Sequence, residues 1–262
     1  ELLDWLATQF VEGGWSMKNL HRLILNSATY RQASHARPDL VELDPLNHLL
    51  AKQNRIRFDA EIVRDAALSA SGLLEPKLGG PSVMPPQPEG IYSFTQRKTS
   101  WVVPNNENRF RRALYVKFIR SAPYPLFTTF DSPDFQSVCT SRARSNTPLQ
   151  SLTLANDAAL FELAQGLAER LLEGIPSEGD SSDLERIKLG FKLCYSREPT
   201  EKEQQLLTTF RSNQEASFAS NEEAAQSVAP KRIPKDLSPA TAASWTSLAR
   251  TLMNTDEFIT RE

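Results

Sequence analysis

The feature that most restricts this chain is a helix-start pattern that recurs through its C-terminal half. Thr147-Pro148-Leu149-Gln150, Ser182-Asp183-Leu184-Glu185 and Thr200-Glu201-Lys202-Glu203 each set a hydroxyl residue three positions ahead of Gln or Glu. This is the capping box, in which side chains satisfy backbone groups that the first turn of a helix leaves unpaired. Pro148 occupies the first helical position, where a missing N–H is tolerated. Behind the boxes, apolar residues return at helical spacing: Leu149, Leu152, Leu160, Leu163, Leu167 and Leu171, then Ile187, Phe191 and Cys194, then Leu206, Leu207 and Phe210. Asn156-Asp157 can cap a fresh helix and divide the first run, which Gly174 and Pro176 end. The second and third runs read as an antiparallel pair joined near Arg197-Glu198-Pro199. Residues 211–237, polar and rich in Ser, Ala and Gln, read as an exposed linker, and Ser238-Pro239 starts a last helix carrying Trp245, Leu248, Ala249, Leu252 and Met253.

The N-terminal part follows the same rules. Leu2, Leu3, Leu6 and Phe10 share a helical stripe with no capping residue in front, which reads as a truncated start. Gly13-Gly14 breaks that helix, and Ser16 caps a second one bearing Met17, Leu20, Leu23, Ile24 and Ala28, so the two form a helical hairpin. A third helix is expected from about Asp59 to Leu74, with Ile62, Ala66, Ala70 and Leu73 inward. Then the pattern fails. Pro81, Pro85, Pro86 and Pro88 follow Gly79-Gly80, which is incompatible with continuous helix or a central strand. Alternation of Leu114, Val116 and Phe118 with Tyr115, Lys117 and Ile119, and the Trp101-Val102-Val103 run, confine any strand to residues 90–120. The expected fold is mainly α, a multi-helix domain at least half helical, with an irregular Pro-rich middle segment and at most a small β-sheet. Its parts are a helical region 1–75, a middle segment 76–146 and a helical region 147–262, joined in one compact domain.

Composition adds exclusions. The 262 residues are 40% hydrophobic and 24% charged with a net charge of −2, which argues against disorder and against nucleic acid as a partner. No run of about 18 apolar residues exists to span a membrane. Cys139 and Cys194 are too few for a disulfide framework, and neither belongs to a CxxC or CxxCH pattern. Cys194 shares a face with Ile187 and Phe191 and reads as a core thiol. His21, His35 and His48 sit on separate segments without HExxH, so no metal is expected. Glycine patterns that cradle nucleotide phosphates are also missing.

Charge is nevertheless uneven. Residues 97–144 hold nine basic side chains and three acidic ones, so the rest of the chain is strongly acidic. Seven of the nine are arginine, whose planar fork suits carboxylate, sulfate or phosphate. These arginines either pair with acidic helices or form an anion-recognition surface. The candidates for that surface are Arg109, Arg111, Arg112, Arg120, Arg142 and Arg144, together with Asp131 and Asn146. Asp131-Ser132-Pro133-Asp134 reads as a turn, and its two carboxylates also allow acid–base chemistry. Cys139 gains thiolate character if Arg142 and Arg144 are adjacent in space.

Several stretches, taken together, resemble the planctomycete family known as domain of unknown function 1553. They are Gly79-Gly80-Pro81-Ser82-Val83 with Pro85-Pro86-Gln87-Pro88, Arg111-Arg112-Ala113-Leu114-Tyr115, Phe130-Asp131-Ser132-Pro133-Asp134, Cys139, and Asn146-Thr147-Pro148-Leu149-Gln150-Ser151-Leu152 running to Asn156-Asp157. Glu1 to Leu6, Gly14-Trp15-Ser16, Ser27 to Gln32 and Leu252 to Phe258 extend the likeness over nearly the whole chain. Phe135-Gln136-Ser137 replaces the family's charged step after the Asp, and Ala158 stands where a Pro is common, which makes one continuous helix through Asn156 more favourable. The resemblance implies an exported, extracytoplasmic protein whose relatives carry a cytochrome-c-like haem domain upstream. It places no cofactor in this portion and names no reaction. The expected function is therefore a binding or assembly module whose arginines recognise an anionic polymer or protein domain. The alternative is a hydrolase or redox-linked accessory enzyme built around Asp131, Cys139 and Arg142.

Overall fold

The computed structural model describes residues 1–35, 38–92, 100–175 and 182–261. Arg97 and Lys98 of the basic segment and the expected stop at Pro176 lie outside them. Among the described residues the chain is 54% helical, in eleven α-helices and three short 3-10 stretches, and holds one two-stranded sheet. They group into two compact units: residues 1–57 together with the C-terminal residues from Thr260, and residues 58–259.

The smaller unit begins with the expected hairpin, α1 (Leu2–Glu12) and α2 (Met17–Leu25). Glu1 gives α1 no side-chain cap, whereas Ser16 Oγ accepts the Asn19 N–H at 3.3 Å at the start of α2. Gly14 and Trp15 both turn through positive φ between the helices, and the Trp15 ring meets Phe10 edge-on at 5.3 Å. The sheet also belongs to this unit: β1 (Ile56–Arg57) pairs antiparallel with β2 (Thr260–Arg261).

The larger unit contains α3 (Ala60–Ser71), α4 (Pro125–Thr129), α5 (Pro148–Asn156), α6 (Ala158–Gly174), α7 (Ser182–Tyr195), α8 (Glu201–Ala219), α9 (Glu222–Val228), α10 (Pro239–Met253) and α11 (Asp256–Ile259). Its core is centred on α6 and α10, whose Leu163, Leu167, Leu171, Ala242, Trp245, Leu248 and Leu252 are buried. Each large side chain so placed contributes about 1.5–3 kcal/mol through removal from water. Around them pack α3, α7, α8 and α9. The Arg186 and Arg211 guanidinium carbons each lie 5.7 Å from the Trp245 ring, so two cations flank the most buried aromatic side chain.

The helix starts fall where capping chemistry places them. Gln150 Oε1 accepts the Thr147 N–H, Thr200 and Glu203 exchange both bonds of their box, and Ser238 Oγ accepts from Thr241 N–H. Helix α7 begins at Ser182 itself. Asp157 settles the division that the sequence leaves open: its Oδ1 accepts the Ala159 and Leu160 N–H groups, so α5 ends and α6 starts despite Ala158.

Four expectations are corrected. The strand expected within 90–120 is replaced by a 3-10 turn at Ala113–Tyr115, and the middle segment holds only isolated bridges among the described residues. Val83 makes such a bridge to Val116, but Pro81 and Pro85 on either side lack N–H groups, so no ladder can extend from it. The supposed linker is helical through Ala219 and again over Glu222–Val228, because Ala225, Ala229, Phe210 and Phe218 find apolar surface to cover. In α3, Ile62 is 47% exposed while Val63, Arg64, Ala67 and Leu68 are buried, so the inward face is displaced from the expected one. In α5, Leu149 and Leu152 face out and Gln150 faces in.

Candidate functional site

Why Arg64 enters the interior explains the middle segment. Its guanidinium donates to the backbone oxygens of Arg111 at 2.7 Å and Arg109 at 2.9 Å, and burial lowers its pKa. A helix side chain thereby supplies the partners that an irregular segment cannot find in a ladder. Arg111 is 1% exposed and does the same for the next turn of chain. It donates to the oxygens of Pro81 at 2.8 Å, Lys77 at 3.3 Å and Gly79, and its guanidinium carbon lies 3.8 Å from the Tyr115 ring centre. Gly79 and Gly80, both at positive φ, give the backbone its curve around this head group. Beside them Trp101 Nε1 donates to Pro85 O and Tyr124 Oη to Pro86 O, fixing the Pro-rich run. Burial, with Asp157 adding to it, raises the Tyr124 pKa, so its phenol remains a donor.

Four other arginines of the segment meet carboxylates. Arg109 pairs with Glu162 at 2.8 Å. Arg112 Nε lies 3.0 Å from Asp65 Oδ2, while the other oxygen of Asp65 accepts the Ala113 N–H at 2.6 Å. Arg142 forks onto Glu61 at 2.6 and 3.2 Å, which raises its pKa, and it approaches Asp59 at 3.8 Å. Arg144 reaches Asp59 more loosely, at 3.6 Å, with about half of its side chain in solvent. Asp59 makes no cap bond to α3; its carboxylate serves these two arginines instead. Arg120 is exposed and makes no ion pair among the described residues.

Asp131 lies at the root of the loop that carries Arg142, Arg144 and Asn146. Its φ of 61° is left-handed, a costly conformation for a residue with a Cβ. Its carboxylate accepts the Ser145 N–H at 2.8 Å and the Ser145 Oγ–H at 2.9 Å. Gln150, buried, donates to Thr129 O at 3.1 Å and Ser145 O at 3.3 Å. The two ends of the 131–145 loop are thus fastened together. Inside it Asp134 accepts the Gln136 N–H, Phe135 turns through positive φ to lay its ring 4.2 Å from Phe118, and the exposed Cys139 thiol donates to Ser141 O. Val138 is 92% exposed, and Asn146 is exposed too.

Two groupings result. Arg111 and Arg64 are internal staples of the 77–111 backbone and Arg109 ties it to Glu162 on α6, while Arg142 and Arg144 lie within the loop fastened by Asp131 and Ser145, with Asn146 directly after it. Helix α3 links the second group to Arg112, since Asp59, Glu61 and Asp65 stand along it. None of those three acids, nor Arg64, Ser145 or Gln150, was named as a site residue from the sequence. The Asp59-x-Glu61-x3-Asp65 spacing was the available signal, but its partners lie 47 to 85 residues away.

Among the described residues no group of three or more His, Cys, Asp or Glu is placed to hold a metal ion, and no helix is long and apolar enough to cross a membrane. Cys194 packs against the core, and burial pushes its thiol pKa up to about 12. No curated protein and no solved structure matches the chain. A family model described as protein of unknown function, DUF1553, matches residues 1–211, and with most of its length covered the chain belongs to that family.

Proposed function

We propose that the chain is a non-catalytic binding module, extracytoplasmic and without a cofactor of its own, whose fastened loop 131–145 and the adjoining Asn146 recognise a sulfated or carboxylated polymer. The observation that carries this reading is the tie from Asp131 to Ser145, reinforced by Gln150. A loop held in a strained conformation from within keeps its outward groups in place before a ligand arrives, which lowers the ordering cost of binding. Arg144 on this loop has about half of its side chain in solvent, Arg120 before the loop is exposed, and Asn146 adds a neutral donor two positions after Arg144. Engagement of both Asp131 oxygens by Ser145, and of Arg142 by Glu61, supports this reading over a hydrolase built on those groups.

The test titrates the purified chain with heparin fragments and with polyglutamate. The Arg120→Ala/Arg144→Ala double variant is expected to bind about tenfold more weakly at low salt, and the parent itself to weaken as salt rises. Lys202→Ala, exposed on α8, serves as the control and is expected to bind like the parent. Binding that is absent in the parent, or equally reduced by Lys202→Ala, would remove the proposal.

A further inference from the structure

Helices α1 and α2 are amphipathic, yet neither has a buried residue. Leu6, Phe10 and Leu20 are half-buried where the two helices meet, but Leu3 is 78% exposed, Met17 54% and Ile24 38%, with Leu2, Trp5 and Leu23 also in solvent. An apolar face of this kind on a two-helix hairpin is half of a four-helix arrangement. The charges identify what complements it. Helix α1, with its cap residue, carries Glu1, Asp4 and Glu12 and no basic residue; α2 carries Lys18, Arg22 and His21 and no acidic one. Among the described residues no ion pair joins the two helices: Arg22 donates to Asn19 on its own helix, and Glu12 accepts from Gln9. An acidic helix and a basic helix on one hairpin are self-complementary about a two-fold axis, because α1 then faces the partner's α2 twice over.

We infer that this hairpin is a self-association surface, its occupant the same hairpin of a second copy of the chain. Helices of 11 and 9 residues are only about 16 and 13 Å long at 1.5 Å per residue. Their contact falls short of the roughly 800 Å² per partner of a standard interface, so the dimer forms reversibly with concentration rather than permanently. Its ion pairs are exposed and weaken with salt.

Sedimentation equilibrium of the full chain from low micromolar to several hundred micromolar tests this. The expected mass rises from one chain of 29.4 kDa toward two, with the midpoint several-fold higher in 0.5 M salt. Lys18→Glu/Arg22→Glu is expected to shift the midpoint at least tenfold upward, and adding Asp4→Lys/Glu12→Lys in the same chain to restore it, a rescue that misfolding cannot mimic. Leu23→Gln, which keeps helix propensity on the apolar face, is expected to remain a single chain at concentrations where the parent is double. A constant single-chain mass, or a dimer indifferent to both charge reversal and Leu23→Gln, would overturn the inference.

Discussion

Neighbouring residues Ile62 and Arg64 take the places their chemistry would exchange. Isoleucine lies toward solvent and arginine inside, because Arg64 meets two backbone oxygens that have no other fork-shaped donor. Arg111 repeats the device on three oxygens. A lysine in its place has one compact head group and cannot span them, so Arg111→Lys is expected to lose about 2–4 kcal/mol of stability and Arg111→Met at least as much. Urea midpoints read the loss. An unchanged midpoint for Arg111→Met would mean that the three oxygens find other partners. Local spacing could not reveal either burial, since an arginine among apolar residues reads as solvent-facing until its acceptors are known.

At the scale of elements, the break between α5 and α6 rests on Asp157. Its carboxyl pKa is raised by burial, with the Leu160 and Ala159 amides and Arg64 opposing the shift. A carboxyl raised in the folded state weakens folding once it ionises, so the charge itself opposes the fold that its oxygen supports. Asp157→Asn keeps the acceptor and drops the charge; it is expected to stay within about 1 kcal/mol of the parent at pH 7, whereas Asp157→Ala loses about 1–2 kcal/mol with the cap. Thermal or urea unfolding of the pair separates cap from charge. The capping boxes at Thr147 and Thr200 were legible because each lies within four residues. The isolated Val83–Val116 bridge was not, because the prolines that stop it and the strand-like run they oppose are some thirty positions apart in the chain.

At the scale of the whole molecule, Arg197 ties together elements of the 58–259 unit that are far apart in the sequence. It forks onto Glu203 at the start of α8 and onto Glu257 in α11, and these bonds raise its pKa. The Arg197 bond also holds the Glu203 carboxyl down at about 2 from an ordinary value of 4.5. A carboxyl lowered in this way stabilises the fold above its ordinary pKa, and that contribution fades as pH falls from about 4.5 toward 2. Glu203→Gln is therefore expected to be less stable than the parent at pH 7 and to converge with it near pH 2. Urea midpoints at pH 7, 4 and 2.5 give the comparison; a gap independent of pH would assign the effect to packing.

What the sequence by itself determined is where helices start, that helix dominates, and that residues 79–88 cannot continue it. Each rests on groups within a few positions: a hydroxyl facing an orphan amide, or a proline without its N–H. Tertiary structure alone decided which face of α3 and α5 turns inward, and it matched Arg142 to Glu61 across 81 positions and Arg112 to Asp65 across 47. The physical reason is that a helix offers its face to whatever packs beside it. A guanidinium takes the acceptors that the folded backbone brings within reach, and no local pattern carries that information.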